Sequence, residues 1–508
     1  MLFNSPHFIF LFVPITLSVF FALARRDRRS ALVWLTAASV FFYAWWNPPY
    51  VVLILASMLF NYAVGAALSR NRGGKRLLAL GIAANLILLG YYKYANFFVD
   101  NLNAVIHSDL RLEPVLLPLG ISFFTFQQVA YLVDAHRGET KEYDVIQYGL
   151  FVTFYPQLIA GPIVHHAEIL PQFDGRRPFR FRADDMAAGV TVFLCGLFKK
   201  VVIADTVAVY ASPLFDYAAL VRPVTFCEAW CGVLAYALQI YFDFSGYSDM
   251  AVGLGRMVGI RIPVNFDAPY RATSPIEFWR RWHMPLSRFL RDYLYIPLGG
   301  GRRGTARRYV NLMATMLLGG LWHGASWNCV IWGGLHGLLL SVNHVWRGWR
   351  GPAGGTDRPG DGPFSRWAGR LFTFLAVCVA WVFFRSRDLT AAIDLLCAMA
   401  GMNGVVLPRG YAAFPGTGGL AALGVRFGDA GLFLGRNELL FLGGLLSWCW
   451  FAPTTQTWTA AADVADAGVL TGWPAWRPSR GWAVAIAAAS FVTLLRLSGF
   501  SEFLYFQF

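Results

Sequence analysis

Phe8-Ile9-Phe10-Leu11-Phe12-Val13-Pro14-Ile15-Thr16-Leu17-Ser18-Val19-Phe20-Phe21-Ala22-Leu23-Ala24 runs without a charge, and Arg25-Arg26-Asp27-Arg28-Arg29 closes it. An apolar stretch of nearly this length followed by clustered arginines is the pattern of a membrane span held on its cytoplasmic side. The N-terminus is therefore expected outside. A secretory signal peptide would carry its positive charge before the apolar stretch, and no small-residue cleavage site is apparent. Working outward, Ala31 to Trp46 returns and ends in the loop residues Asn47-Pro48-Pro49. Val51 to Ser69 then goes back in and is stopped by Arg70, Arg72, Lys75 and Arg76. Three successive segments agree on one orientation.

Composition points the same way. The 508 residues are 56% hydrophobic and 14% charged, with mean hydropathy +0.48. Soluble domains carry roughly 25% charged residues, and disorder needs low hydrophobicity, so both classes are excluded. The excess of Lys+Arg (43) over Asp+Glu (29) reads as cytoplasmic-loop bias, with no basic tail or motif for nucleic acid. The partner indicated is the lipid bilayer. The seven cysteines read as small buried apolar residues, and their spacing indicates no metal site or disulfide framework.

Further apolar stretches lie at 77–92, 115–133, 145–164, 186–211, 226–242, 247–260, 309–327, 329–345, 367–384, 438–452 and 481–497. Several are short or interrupted by Gly and Pro, as re-entrant or broken helices are. The expected fold is an all-α polytopic membrane protein of about 11–12 spans with re-entrant and amphipathic interfacial pieces. Arg477 and Arg480 precede the last stretch, so the C-terminus is also expected outside, and twelve spans satisfy both ends. The 347–366 segment reads as a basic cytoplasmic loop, and 401–436 as polar and glycine-rich.

Ionisable residues inside spans are costly and mark candidate sites. His323 sits in Gly319-Gly320-Leu321-Trp322-His323-Gly324. Small neighbours let a substrate approach, and a dry neutral imidazole can act as a base on a hydroxyl or thiol. The plain alternative is a core histidine bonded to a carbonyl. His336, thirteen residues on, falls on the opposite face of a continuous helix, and a structural polar contact is expected. From Ser274 to Leu294 a capped amphipathic helix is expected, kinked at Pro285. It carries Trp279, Arg280, Arg281, Trp282 and His283, and its two readings are an interfacial anchor or a basic wall beside an anionic thioester. Asp243 and Asp249 flank Gly246, where a broken-helix turn is expected, and pairing with nearby arginines is their structural reading. Pro156 to Ile163 suits a re-entrant turn.

Trp322-His323-Gly324, following Phe278-Trp279-Arg280-Arg281-Trp282-His283, resembles the membrane-bound O-acyltransferase (MBOAT) family. Pro156–Ile163, Tyr241–Asp249, 265–270 and 291–300 are similar to its bacterial branch, the AlgI-like and DltB-like proteins. The resemblance implies a helical ring around a central tunnel, with 1–114 as N-terminal spans, 115–345 as catalytic core, 346–480 as C-terminal helices with polar loops, and 481–508 as last span and aromatic end. It maps the catalytic histidine onto His323 and a second histidine onto His283, which would orient or polarise the donor carbonyl. Trp322, Trp279, Trp282, Arg280, Arg281, Asp243 and Asp249 are tunnel or donor-side candidates.

The activity implied is acetyl transfer from a cytoplasmic donor toward an exported alginate- or cellulose-like polysaccharide, in a bacterial inner membrane, through a periplasmic SGNH-type acetyltransferase partner. The donor would be acetyl-CoA or another acyl thioester, a substrate rather than a bound cofactor. The end, Phe503-Leu504-Tyr505-Phe506-Gln507-Phe508, resembles the aromatic motif of a small partner peptide in D-alanylation. Tyr505 could thus shuttle the acyl group, or the segment could be an interfacial aromatic anchor. Alternatives are D-alanyl transfer to teichoic acid, peptidoglycan O-acetylation or, in another class, a transporter.

Overall fold

In the computed structural model the described residues are 1–70, 72–113, 115–141, 143–174, 179–217, 223–349, 362–413, 417–428, 431–433, 435–460, 473–497 and 504. They are helical almost throughout. Within 401–436 a two-stranded parallel pair, Val406–Pro408 with Arg426–Gly428, is the sheet among the described residues. Pro49–Ser69, Gly74–Ile106, Ala183–Asp216 and Pro363–Arg385 are long and apolar enough to cross a bilayer, and Phe8–Ala24 and Leu389–Met399 are shorter apolar helices. Thr305–His323 carries Arg307 and Arg308 at its start, which lowers its hydropathy.

The centre is one helix, Phe226–Met257, buried along most of its length. Two expected spans are therefore one. Gly246 does not break it; it admits another backbone. A Cβ on Gly246 would stand 2.7 Å from the Gly196 carbonyl oxygen, and one on Gly253 2.6 Å from that of Gly189. Ala183–Phe198 thus packs backbone to backbone against the central helix, as small residues permit in membranes.

The expected amphipathic helix at 274–294 is also corrected. It is Pro275–Arg281, Met284–Leu290 and a π-helical turn Arg291–Tyr295. The break falls at His283, whose φ of 43° is left-handed, and Pro285 merely starts the second piece. Ser274 Oγ accepts from the Glu277 amide at 3.3 Å as a cap should. The Glu277 carboxylate turns instead to the Thr273 amide and hydroxyl, both at 2.8 Å. The break divides the apolar stripe: Phe278 and Trp282 join the core around Phe226–Met257, while Leu286 and Leu290 join a separate cluster with Trp322. Pro156 does introduce a short helix, Tyr155–Leu158, ending in a buried turn.

Candidate active site

Thr305–His323 stops at His323, and Trp327–Trp349 starts four residues later. The two helices double back on each other through glycine. A Cβ on Gly320 would lie 2.2 Å from the Cys329 carbonyl oxygen, and one on Gly333 2.2 Å from that of Met316. This reversal corrects the reading of His336. With no continuous helix to separate them, His323 and His336 both reach Trp332, at ring-centroid distances of 5.1 and 4.8 Å.

His323 occupies an aromatic box of Trp322 (4.8 Å), Trp332 (5.1 Å) and Phe384 (5.4 Å), each ring edge-on to it. The residue is only partly buried. Among the described residues no hydrogen bond engages its ring nitrogens, and its electrostatic neighbours are His283, His336 and Lys93. An imidazole with open nitrogens and apolar walls can take a proton from a hydroxyl brought to it.

His283 is 1% exposed. Its Nδ1 lies 3.1 Å from Asn265 Oδ1, while Asn265 Nδ2 donates to Ser248 Oγ at 2.7 Å. That chain turns the Asn265 oxygen toward His283, so Nδ1 holds the proton and the unengaged Nε2 is an acceptor. A neutral His283 in this tautomer cannot polarise a carbonyl by donating to it. It can only receive a proton or a hydrogen bond. His336 is held in the other tautomer: Trp279 Nε1 donates to its Nδ1 at 3.2 Å, so its proton sits on Nε2, and Phe278 stacks on it at 6.0 Å.

The other expected site residues divide. Trp322 is buried, stacked on Phe126 at 4.9 Å and beside His323. Trp282 packs against Phe278 and Trp381 at 5.6 and 5.1 Å, as aromatic core. Arg281 is engaged by Glu277 (2.9 Å) and Asp267 (3.1 Å), whereas Arg280 is exposed and faces the side where Arg308, Arg347 and His344 gather. Asp243 and Asp249 pair with lysines rather than arginines. Lys200 Nζ lies 2.9 Å from Asp243 Oδ1 and 2.7 Å from Asp205 Oδ1, and Lys199 Nζ lies 2.6 Å from Asp249 Oδ2. Asp243 also accepts from the amide of buried Leu504 at 3.3 Å. Tyr505 lies outside the described residues.

Sequence reasoning missed Asn265 and Ser248, quoted only within motifs, and it missed Lys93. Lys93 interrupts an apolar run, the signal that costs most in a membrane and should have been heeded. It also missed a cluster at Asp134. His165 Nε2 sits 2.8 Å from Asp134 Oδ2 and 2.6 Å from the Tyr293 hydroxyl, which itself contacts that carboxylate. His166 Nε2 is 3.4 Å from the same oxygen. Asp134, His165 and His166 are close enough to share a cation, but the hydrogen bonding opposes it. The Ala167 amide donates to His165 Nδ1 at 3.2 Å, so the proton sits on Nε2, the nitrogen a metal would need. Arg137, 3.4 Å from Asp134, already supplies positive charge. Next to the cluster is a cavity of about 300 Å³ walled by Phe126, Gln127, His165, Glu168, Arg288 and Phe289 among others. Phe126 of this wall stacks on the buried Trp322, whose ring lies edge-on to His323.

Residues 76–385 match the model of MBOAT, the membrane-bound O-acyltransferase family. The chain is 42% identical to the probable alginate O-acetylase AlgI of Pseudomonas putida, with 100% of each chain covered. It is also 42% identical to the peptidoglycan O-acetyltransferase of Helicobacter pylori over 80% of this chain and 81% of that protein. A teichoic acid D-alanyltransferase of Streptococcus thermophilus is 29% identical over 45% of this chain and 57% of its own.

Proposed function

Because this chain belongs to the membrane-bound O-acyltransferase family, we propose that it moves acetyl groups from a cytoplasmic thioester to the hydroxyls of an exported polysaccharide of the alginate type. It is an O-acyltransferase, so the transporter alternative falls away. The full-length match to an alginate O-acetylase supports the polysaccharide. The single observation that carries the chemistry is the imidazole of the partly buried His323, unengaged in an aromatic box.

In this reading an acceptor hydroxyl enters beside His323, which takes its proton as the oxygen attacks the thioester carbonyl. The tetrahedral intermediate collapses, the C–S bond breaks, and the thiolate leaves with the proton that His323 returns. His283 Nε2, held as an acceptor by Asn265, aligns the incoming hydroxyl or departing thiol rather than the carbonyl. Arg280, with the Arg308 and Arg347 side of the molecule, supplies positive charge for an anionic donor such as acetyl-CoA. Trp322 and the Phe126 cavity form the approach. The attacking hydroxyl is that of Tyr505; a hydroxyl of a periplasmic acetyltransferase partner then attacks the tyrosyl ester, freeing the phenol. The partner passes the acetyl to the polymer, all in a bacterial inner membrane whose outer face holds both termini.

A second acceptor, peptidoglycan, is favoured by the Helicobacter pylori relative. The deciding experiment deletes the gene and measures ester-linked acetate on exported polysaccharide and on purified peptidoglycan separately. Complementation by the wild-type gene, but not by His323→Ala, should restore acetate on polysaccharide. Restoration on peptidoglycan alone moves the reading to that polymer, and restoration by His323→Ala removes the histidine from it.

A further inference from the structure

The C-terminal end of the Thr305–His323 helix must leave carbonyls without intrahelical partners, because no further turn donates to them. Here they are met from a distant segment. Lys93, on the π-helical turn Gly90–Tyr94, directs its Nζ to the carbonyl oxygens of Trp322 at 2.5 Å and His323 at 3.0 Å. The Tyr94 hydroxyl donates to the Leu321 carbonyl at 2.9 Å. Three successive carbonyls thus end on two successive side chains. The ammonium also lies 5.8 Å from the Trp322 ring centroid and 3.5 Å from Ser122 Oγ, which limits its freedom.

The inserted residue of a π-helical turn sets consecutive side chains at offsets that a regular helix does not give, and such turns recur at functional sites. The end it grips is where grip is needed. His323 is the last residue of its helix, followed by Gly324, and its imidazole has no hydrogen bond of its own among the described residues. Aromatic edges alone resist rotation poorly, so the orientation of the ring rests on its backbone.

We propose that Lys93 and Tyr94 are positioning residues for His323: the pair clamps the 321–323 carbonyls and thereby aims the imidazole at the incoming hydroxyl. The inference rests on the acyl-transfer reading and adds the device that makes its base effective. Misplacing a base by about 1 Å is enough to cost roughly a hundredfold in rate.

The test uses the full-length chain in membrane vesicles of the expressing strain, following transfer of radiolabelled acetyl from acetyl-CoA to vesicle-associated product. Turnover and donor KM are measured separately, alongside the thermal unfolding of the detergent-solubilised protein. Lys93→Met is expected to lower turnover about a hundredfold with donor KM and unfolding temperature near wild type. Lys93→Arg should recover part of that loss, and Tyr94→Phe should lower turnover by a smaller factor. Where Lys93→Met does not accumulate, the same split in Tyr94→Phe and Lys93→Arg carries the test. Wild-type turnover in Lys93→Met overturns the clamp, as does a loss confined to KM or matched by a fall in unfolding temperature. His323→Ala run in parallel separates the two ideas: if it alone is inactive, only the clamp fails, and if it remains active, the acyl-transfer role of His323 fails.

Discussion

Around Lys200 the buried ionisable groups are matched one against another: Lys200 with Asp205 and Asp243, Lys199 with Asp249, and Asp249 again with Gln456 at 2.6 Å. Around His323 the imidazoles keep open nitrogens among the described residues. His283 and His336 each spend Nδ1 on a neighbour and keep Nε2 unengaged, while His323 spends neither nitrogen. Asp243 and Asp249 sit on the Phe226–Met257 helix and His283 packs on its Phe244 at 4.9 Å, so the two kinds of group differ in chemistry more than in place in the fold. Charges in a low-dielectric interior must be paired to be tolerated, and pairing removes them from reactions. Neutral imidazoles carry a smaller burial cost, so the protein can keep them unpaired and available.

Substitutions should separate the two regions. The largest expected effect is His323→Ala, which should lower acetyl transfer by up to about 10⁴-fold with little change in unfolding temperature, read by paired transfer and melting assays. Lys200→Met should do the reverse. It takes the shared ammonium from buried Asp243 and half-buried Asp205, so a loss of about 3–5 kcal/mol should appear in denaturant unfolding, with activity falling only as folded protein is lost. Asn265→Leu removes the acceptor that fixes the His283 tautomer; about a tenfold loss of turnover is expected, in line with outer-shell partners of other histidines. If Lys200→Met proved stable and inactive, the division between structural pairs and open nitrogens would not hold.

The smallest effect concerns pH. Burial works to raise the Glu277 carboxyl, but the Thr273 amide and hydroxyl and the Arg281 guanidinium outweigh it and hold it below the usual range. A carboxyl depressed on folding stabilises above its unfolded pKa, about 4, and that stability is lost as pH falls through the lower folded value. Glu277→Gln should therefore flatten the acid limb of unfolding temperature against pH and leave the neutral region less affected.

Much of this was readable in the chain. Arginines after apolar runs gave the membrane class, and the residues around His323 and His283 gave the family. What could not be read depends on contacts between distant segments. The His336 side was misjudged because a helical count presumes an unbroken helix, and the turn at Gly324-Ala325-Ser326 breaks it. Gly246 looked like a hinge because a glycine that admits a neighbouring backbone and one that bends its own are the same letter. The aspartates were matched to arginines because arginines are numerous, while the rare lysines on the Ala183–Asp216 segment are what face them. Lys93 looked like the end of a span because its acceptors are carbonyls, which no side-chain pattern announces.

His323 is only partly buried and its ring nitrogens are unengaged among the described residues, so it should be open to water-borne reactants, while its neighbour His336, 1% exposed, should not. This central claim is tested by cysteine accessibility in right-side-out and inverted vesicles, comparing His323→Cys with His336→Cys under a small membrane-impermeant methanethiosulfonate. Position 323 should be modified from at least one side and position 336 from neither, with the native cysteines as the background. Protection of position 323 from both sides would contradict the account.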